Sequence, residues 1–90
     1  MKYIVYWTFQ TGTFDAAVAR FLKAGGLPPA GVKLIGRWHG MGGRGFAIVE
    51  TTNAKAIYAW IAEWSDLLPL GVTPCLEDAE AGEVLQGLKR

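Results

Sequence analysis

His39 is the only histidine in this chain of 90 residues, and histidine is the side chain best suited to moving protons near neutral pH. Arg37 stands two residues before it, and on a strand that spacing aims both side chains at one face. A guanidinium in that place holds an anionic oxygen by paired hydrogen bonds. Glu50 lies near the end of the next apolar run. It joins the pair if Arg37 lies opposite Ile48, and it falls on the other face if Arg37 lies opposite Ala47. The residue pattern leaves both registers open. In the first, Glu50 orients His39, and the three residues form a catalytic cluster of acid or base, anion holder and positioning carboxylate. The competing structural reading is an ion pair and a histidine at the mouth of a hairpin, satisfying backbone groups or the rim of a dimer.

The chain carries four tryptophans. Trp7, Trp60 and Trp64 are candidates for the wall of a pocket that takes a planar hydrophobic molecule. The spacing of Trp60 and Trp64 is equally that of an ordinary helix core face. Trp38 alternates with Arg37 and His39, so it faces the opposite side of the sheet. One histidine, one cysteine and scattered carboxylates do not make a metal ligand set. No cofactor is expected. If a haem were bound, His39 is the one histidine able to serve as its axial ligand. Cys75 follows Pro74 without a partner to activate it and reads as a small packed thiol. Glycines at 40, 42, 43 and 45 do not fit a phosphate loop, because they join two strands rather than open a helix. They read as a mobile hairpin lid.

The elements that must position these residues follow from composition and period. The chain is 51% hydrophobic and 19% charged, which excludes disorder. One cysteine excludes a disulfide scaffold, and a net charge of +1 provides no strong field for nucleic acid or an acidic membrane. No run of apolar residues is long enough to span a membrane. Thr8, Gln10, Gly12 and Asp15 interrupt the opening apolar stretch, so it does not read as a signal peptide. The expectation is a single domain over residues 1–90 in the cytoplasm.

Residues 2–9 are apolar on both parities and predict a strand buried on two faces. Thr13 opens a helix over 13–24, stopped by Gly25 and Gly26. Residues 32–39 and 45–51 predict a hairpin with a glycine-rich loop. Asn53 caps a second helix with Ile57, Trp60, Ile61 and Trp64 on one face. Residues 70–76 form a strand whose Pro74 assigns it to a sheet edge. Residues 78–88 form a last helix with Val84, Leu85 and Leu88 as its stripe.

The order βαββαβ with right-handed crossovers gives an α+β, ferredoxin-like fold: a four-stranded antiparallel sheet, helices on one face and an extra C-terminal helix. Strand one shows Tyr3, Val5, Trp7 and Phe9 on one side and Ile4 and Tyr6 on the other. Neither set looks solvent-facing. A second layer is expected, most simply the sheet of another copy packed about a two-fold axis.

Four stretches carry a family likeness: Met1-Lys2-Tyr3, Gly36-Arg37-Trp38-His39-Gly40, Gly45-Phe46-Ala47-Ile48-Val49-Glu50 and Leu76-Glu77-Asp78. They resemble the small proteins named domain of unknown function 3303, over nearly the whole length, with Arg37-Trp38-His39 the most specific part. That family is similar to dimeric α/β-barrel proteins, whose relatives include cofactor-free monooxygenases, haem enzymes and proteins without known activity. The resemblance implies the fold and a homodimer through sheet faces, and it transfers no reaction.

A nucleic-acid reading competes, because Arg44-Gly45-Phe46-Ala47-Ile48-Val49-Glu50-Thr51 matches the RNA-recognition strand pattern at five positions. Ile48 replaces a base-stacking aromatic and Thr51 fills the last place, and nine basic residues against eight acidic ones attract phosphate weakly. The function expected is binding of a small hydrophobic or aromatic molecule between sheet and helices, with cofactor-free turnover as its enzymatic extension. The alternative is a non-catalytic structural or assembly module.

Overall fold

The computed structural model describes residues 1–88. Its elements are β1 (Lys2–Thr8), α1 (Phe14–Ala24), β2 (Lys33–His39), β3 (Arg44–Glu50), α2 (Ala54–Trp64), β4 (Leu70–Cys75) and α3 (Asp78–Gln86). They follow the predicted order, and the bounds move by one or two residues. The strands form one antiparallel sheet in the order β2-β3-β1-β4. This is the ferredoxin-like arrangement. β4 pairs only with β1, so the donor missing at Pro74 lies in a strand with one neighbour, as its edge placement requires.

The core lies between the sheet and the two crossover helices. Val5, Val32, Val49, Ile57 and Trp60 are buried together, with Tyr3, Trp7, Leu34, Ile61, Trp64, Leu70 and Val72 packed around them. Burial of such side chains removes apolar surface from water at about 25 cal/mol per Å², the main force holding helices to sheet. Large rings lie flat where a strand neighbour has no side chain. Trp7 covers Gly45, and Tyr6 covers Gly71.

Side-chain ties close the frame. The Thr51 hydroxyl donates to Gly31 O at 2.7 Å and accepts from the Asn53 N–H at 3.0 Å, joining the end of β3 to the loop before β2 and to the start of α2. Asn53 Oδ1 accepts from the Ala56 N–H, as a helix N-cap does. Arg20 donates two hydrogen bonds to the Asp66 carboxylate at 2.7 and 2.8 Å and a third to Glu63 O, and it lies over the Trp64 ring. It thereby pins α1 to the end of α2.

The hairpin register is where the sequence pattern stopped. Lys33 pairs with Glu50 and Leu34 with Val49, but Gly36 pairs with Ile48 and Arg37 with Ala47. Ile35 is therefore an extra residue in β2, a bulge. It resets the alternation, so that Leu34 and Arg37, three apart, both face the helices.

α3 stands apart. None of its residues is buried, and Val84, Leu85 and Leu88 are 64%, 60% and 53% exposed. Its start is held by an ion pair between Lys2 and Glu77 at 2.8 Å. The sheet face away from α1 and α2 is also uncovered, with Tyr6, Ile35, Trp38 and Phe46 exposed. The radius of gyration is 15.2 Å, against about 12 Å for a compact chain of this length.

Candidate functional site

A cavity of about 460 Å³ opens between the sheet and the helices, at the end of the sheet where β2 runs into the hairpin loop. Val5 and Trp7 of β1 contribute to its sheet side, and α1 supplies Phe14, Ala17 and Phe21. Trp60, Ile61 and Trp64 come from α2, and Met41 of the hairpin loop stands at the rim, fully exposed. Each α1 contributor lies on the helix face spaced by three and four residues, so the amphipathic pattern that docks the helix also lines the cavity.

Arg37 and His39 both line this cavity. Arg37 reaches the end of α1. Its Nη1 donates to Gly26 O at 2.6 Å and its Nη2 to Gly25 O at 3.1 Å, and its guanidinium lies 4.9 Å from the centre of the Phe21 ring. These are the carbonyls of the turn that follows α1, so the guanidinium ties the exit of the helix to β2. Gly25 turns the chain left-handed at φ 78° and donates its N–H back to Phe21 O. A cation at a helix C-terminus is also favourable for the dipole. Burial lowers the pKa of Arg37 from the ordinary guanidinium value, and no carboxylate pairs with it among the described residues. The two bonds leave three of its five N–H donors for other acceptors.

His39 stands at the cavity mouth, exposed, with its ring edge-on to Trp7 at 6.0 Å and to Phe21 at 5.4 Å. Phe21 thus touches both polar residues. Glu50 is not with them. The bulge at Ile35 puts Arg37 opposite Ala47, and Glu50 projects from the other face, in a row with Lys33 and Lys2. The register that would let Glu50 orient His39 is not the one adopted, because one inserted residue changes every later pairing.

Trp7, Trp60 and Trp64 all line the cavity, and all lie in the core or pack against it. Trp60 is 7% exposed, and its indole Nε1–H has no hydrogen-bond partner. A buried donor without an acceptor costs about 1–3 kcal/mol. Phe9, Phe14 and Phe21 were not singled out by the chemistry of the sequence. The signal for Phe14 and Phe21 was their helical spacing on α1, and that for Phe9 its place on the Tyr3, Val5 and Trp7 side of the first strand. Phe9 and Phe14 meet edge-on at 4.9 Å across the turn between β1 and α1.

Among the described residues, no group of three or more His, Cys, Asp or Glu side chains converges to hold a metal ion. No helix among them is long and apolar enough to cross a membrane. Cys75 is free and half-buried on β4, outside the residues that line the cavity. Comparison with curated proteins finds no match. The sequence matches the family described as Domain of unknown function (DUF3303) over residues 1–89, and the chain belongs to that family.

Proposed function

We propose that this member of the family binds a small aromatic or hydrophobic molecule that carries an acceptor oxygen, such as an aryl carboxylate or a phenolate. The observation that carries the reading is the character of the unused groups in the cavity. Its walls are apolar, yet Arg37 keeps three N–H donors beyond its bonds to Gly25 O and Gly26 O, and the buried Nε1–H of Trp60 has no acceptor. A carboxylate or carbonyl at the guanidinium supplies that acceptor, and a planar ring among Trp7, Phe21 and Trp64 replaces water with matched surface. The volume is in the range for such a ligand. His39 at the mouth is the group for proton transfer, should the bound molecule be turned over without a cofactor. Met41 and its flanking glycines form the lid.

Thermal shift and calorimetry with a panel of aryl carboxylates, phenols and uncharged aromatics test this. Binding of anionic or acceptor-bearing aromatics, weakened at least tenfold by R37M and less by H39A, supports it. Equal affinity for uncharged aromatics, unchanged by R37M, sinks the role of Arg37. No binding by any of them leaves the assembly module as the better reading.

A second reading concerns partners and rests on the other face. Trp38 and Phe46 stack at 5.3 Å and 27° on a sheet surface that also exposes Tyr6 and Ile35. The chain exposes 6523 Å² at a mass of 9.8 kDa, whereas a compact monomer of that mass exposes about 5,200 Å². The excess is of the size one subunit hides in a stable dimer. A homodimer through these faces accounts for it. RNA is disfavoured because nine basic residues against eight acidic ones give the chain little attraction for phosphate.

A further inference from the structure

We infer that α3 is an exchanged arm: in the homodimer its apolar stripe lies over the β2 edge of the second copy, against Ile35 and Trp38. The inference rests on the sheet-face dimer proposed above and adds the element that completes it. Ala81, Val84 and Leu85 recur at i, i+3 and i+4, the spacing of a helix face made to be covered, and Leu88 follows just past the C-cap Gly87. Its own chain leaves that face open, since no α3 residue is buried. The ion pair of Lys2 with Glu77 fixes where the arm begins.

The register shows where the arm starts. Cys75, Lys2, Glu50 and Lys33 form one row across the sheet, from the β4 edge to the β2 edge. α3 departs from the β4 end of that row. A two-fold axis between two facing sheets and along their strands sets the β4 edge of one copy over the β2 edge of the other, with this row at the same end. The α3 arm then meets Lys33, which has no ion-pair partner among the described residues, and the bulged Ile35, which is 46% exposed. Asp78 and Glu80 flank the apolar stripe of the arm, so an acidic-rimmed apolar helix meets an apolar edge beside a cation. The axis perpendicular to the strands sets α3 over β4 of the partner instead, where no lysine or arginine lies on the strand.

Disulfide trapping in the full chain tests the placement. In a C75S background, I35C with L85C is oxidised and run without reducing agent. A covalent dimer supports the inference. An intramolecular bridge, or none, overturns it. Sedimentation of V84E/L85E is the second measure, since both side chains are exposed in the single chain. A dimer dissociation constant raised at least tenfold, with unchanged far-ultraviolet circular dichroism, supports the arm. Unchanged dimerisation overturns the arm and leaves the sheet-face dimer standing. A wild-type chain that is monomeric at micromolar concentration overturns both, and retention of a single-stranded RNA oligonucleotide by that monomer assigns the aromatic face to nucleic acid.

Discussion

The two faces of the sheet are built from alternate residues of the same strands, and they solve opposite problems. Toward the helices the centre is small, with Val5, Ala47 and Val49 buried, and the large rings stand around it. That distribution leaves a cavity with two polar groups at its edge. Away from the helices the large side chains sit on the strands themselves, and Trp38 and Phe46 stack into a flat surface. Both faces are aromatic, so composition does not distinguish them. What differs is where the volume lies relative to the sheet axis, and concave apolar surface accepts a small molecule where flat apolar surface accepts another surface.

Substitutions on the two sides of the sheet test this difference. The largest effect belongs to the helix side. W60A removes a buried ring from the core and is expected to cost about 3–5 kcal/mol, a large part of the stability of a domain this small. Urea unfolding checks it. Next is F46E on the open face. It is expected to leave secondary structure intact and to raise the dissociation constant of the proposed dimer about thirtyfold, equivalent to about 2 kcal/mol, measured by sedimentation. If F46E instead unfolds the chain as W60A does, the two faces are not functionally separate.

R37K has a smaller effect. It keeps the charge and loses the fork that reaches two carbonyls, with an expected cost of about 1 kcal/mol. Faster amide exchange at the end of α1 is its specific sign. The smallest effect is electrostatic. Arg20 holds the Asp66 carboxyl below its ordinary value of 3.8, and Lys2 holds Glu77 below 4.5. Each contributes stability that is present above its ordinary value and is lost as pH falls through the lowered one. Both pairs are exposed to solvent, so the acid limb is shallow and salt-sensitive. D66N flattens its Asp66 part in a pH series of melting temperatures.

The element order was legible because periodicity, Asn53 at a helix start, Gly25 at a helix end and Pro74 at an edge are local signals. The side of the sheet on which Glu50 lies was not, because register is decided by pairing between strands. One local sign existed: Gly36, a glycine inside a strand pattern, marks the neighbourhood of a bulge. Arg37 and His39 were found as a pair through their spacing. That Arg37 serves the end of α1 depends on how the helix returns over the sheet, which spacing alone does not carry. The unmatched Nε1–H of Trp60 was invisible for the same reason. A tryptophan in a core stripe reads as packing until the atoms around its nitrogen are known.

Pro74 and the bulge at Ile35 have a joint consequence. They lie in β4 and β2, the two outer strands of the sheet. An outer strand ordinarily offers a row of free backbone groups onto which a foreign strand can add, the route to open-ended fibrils. Here a proline interrupts one row and an extra residue kinks the other. Growth by strand addition is discouraged on both sides, and a chain with so much exposed aromatic surface is steered away from polymerising.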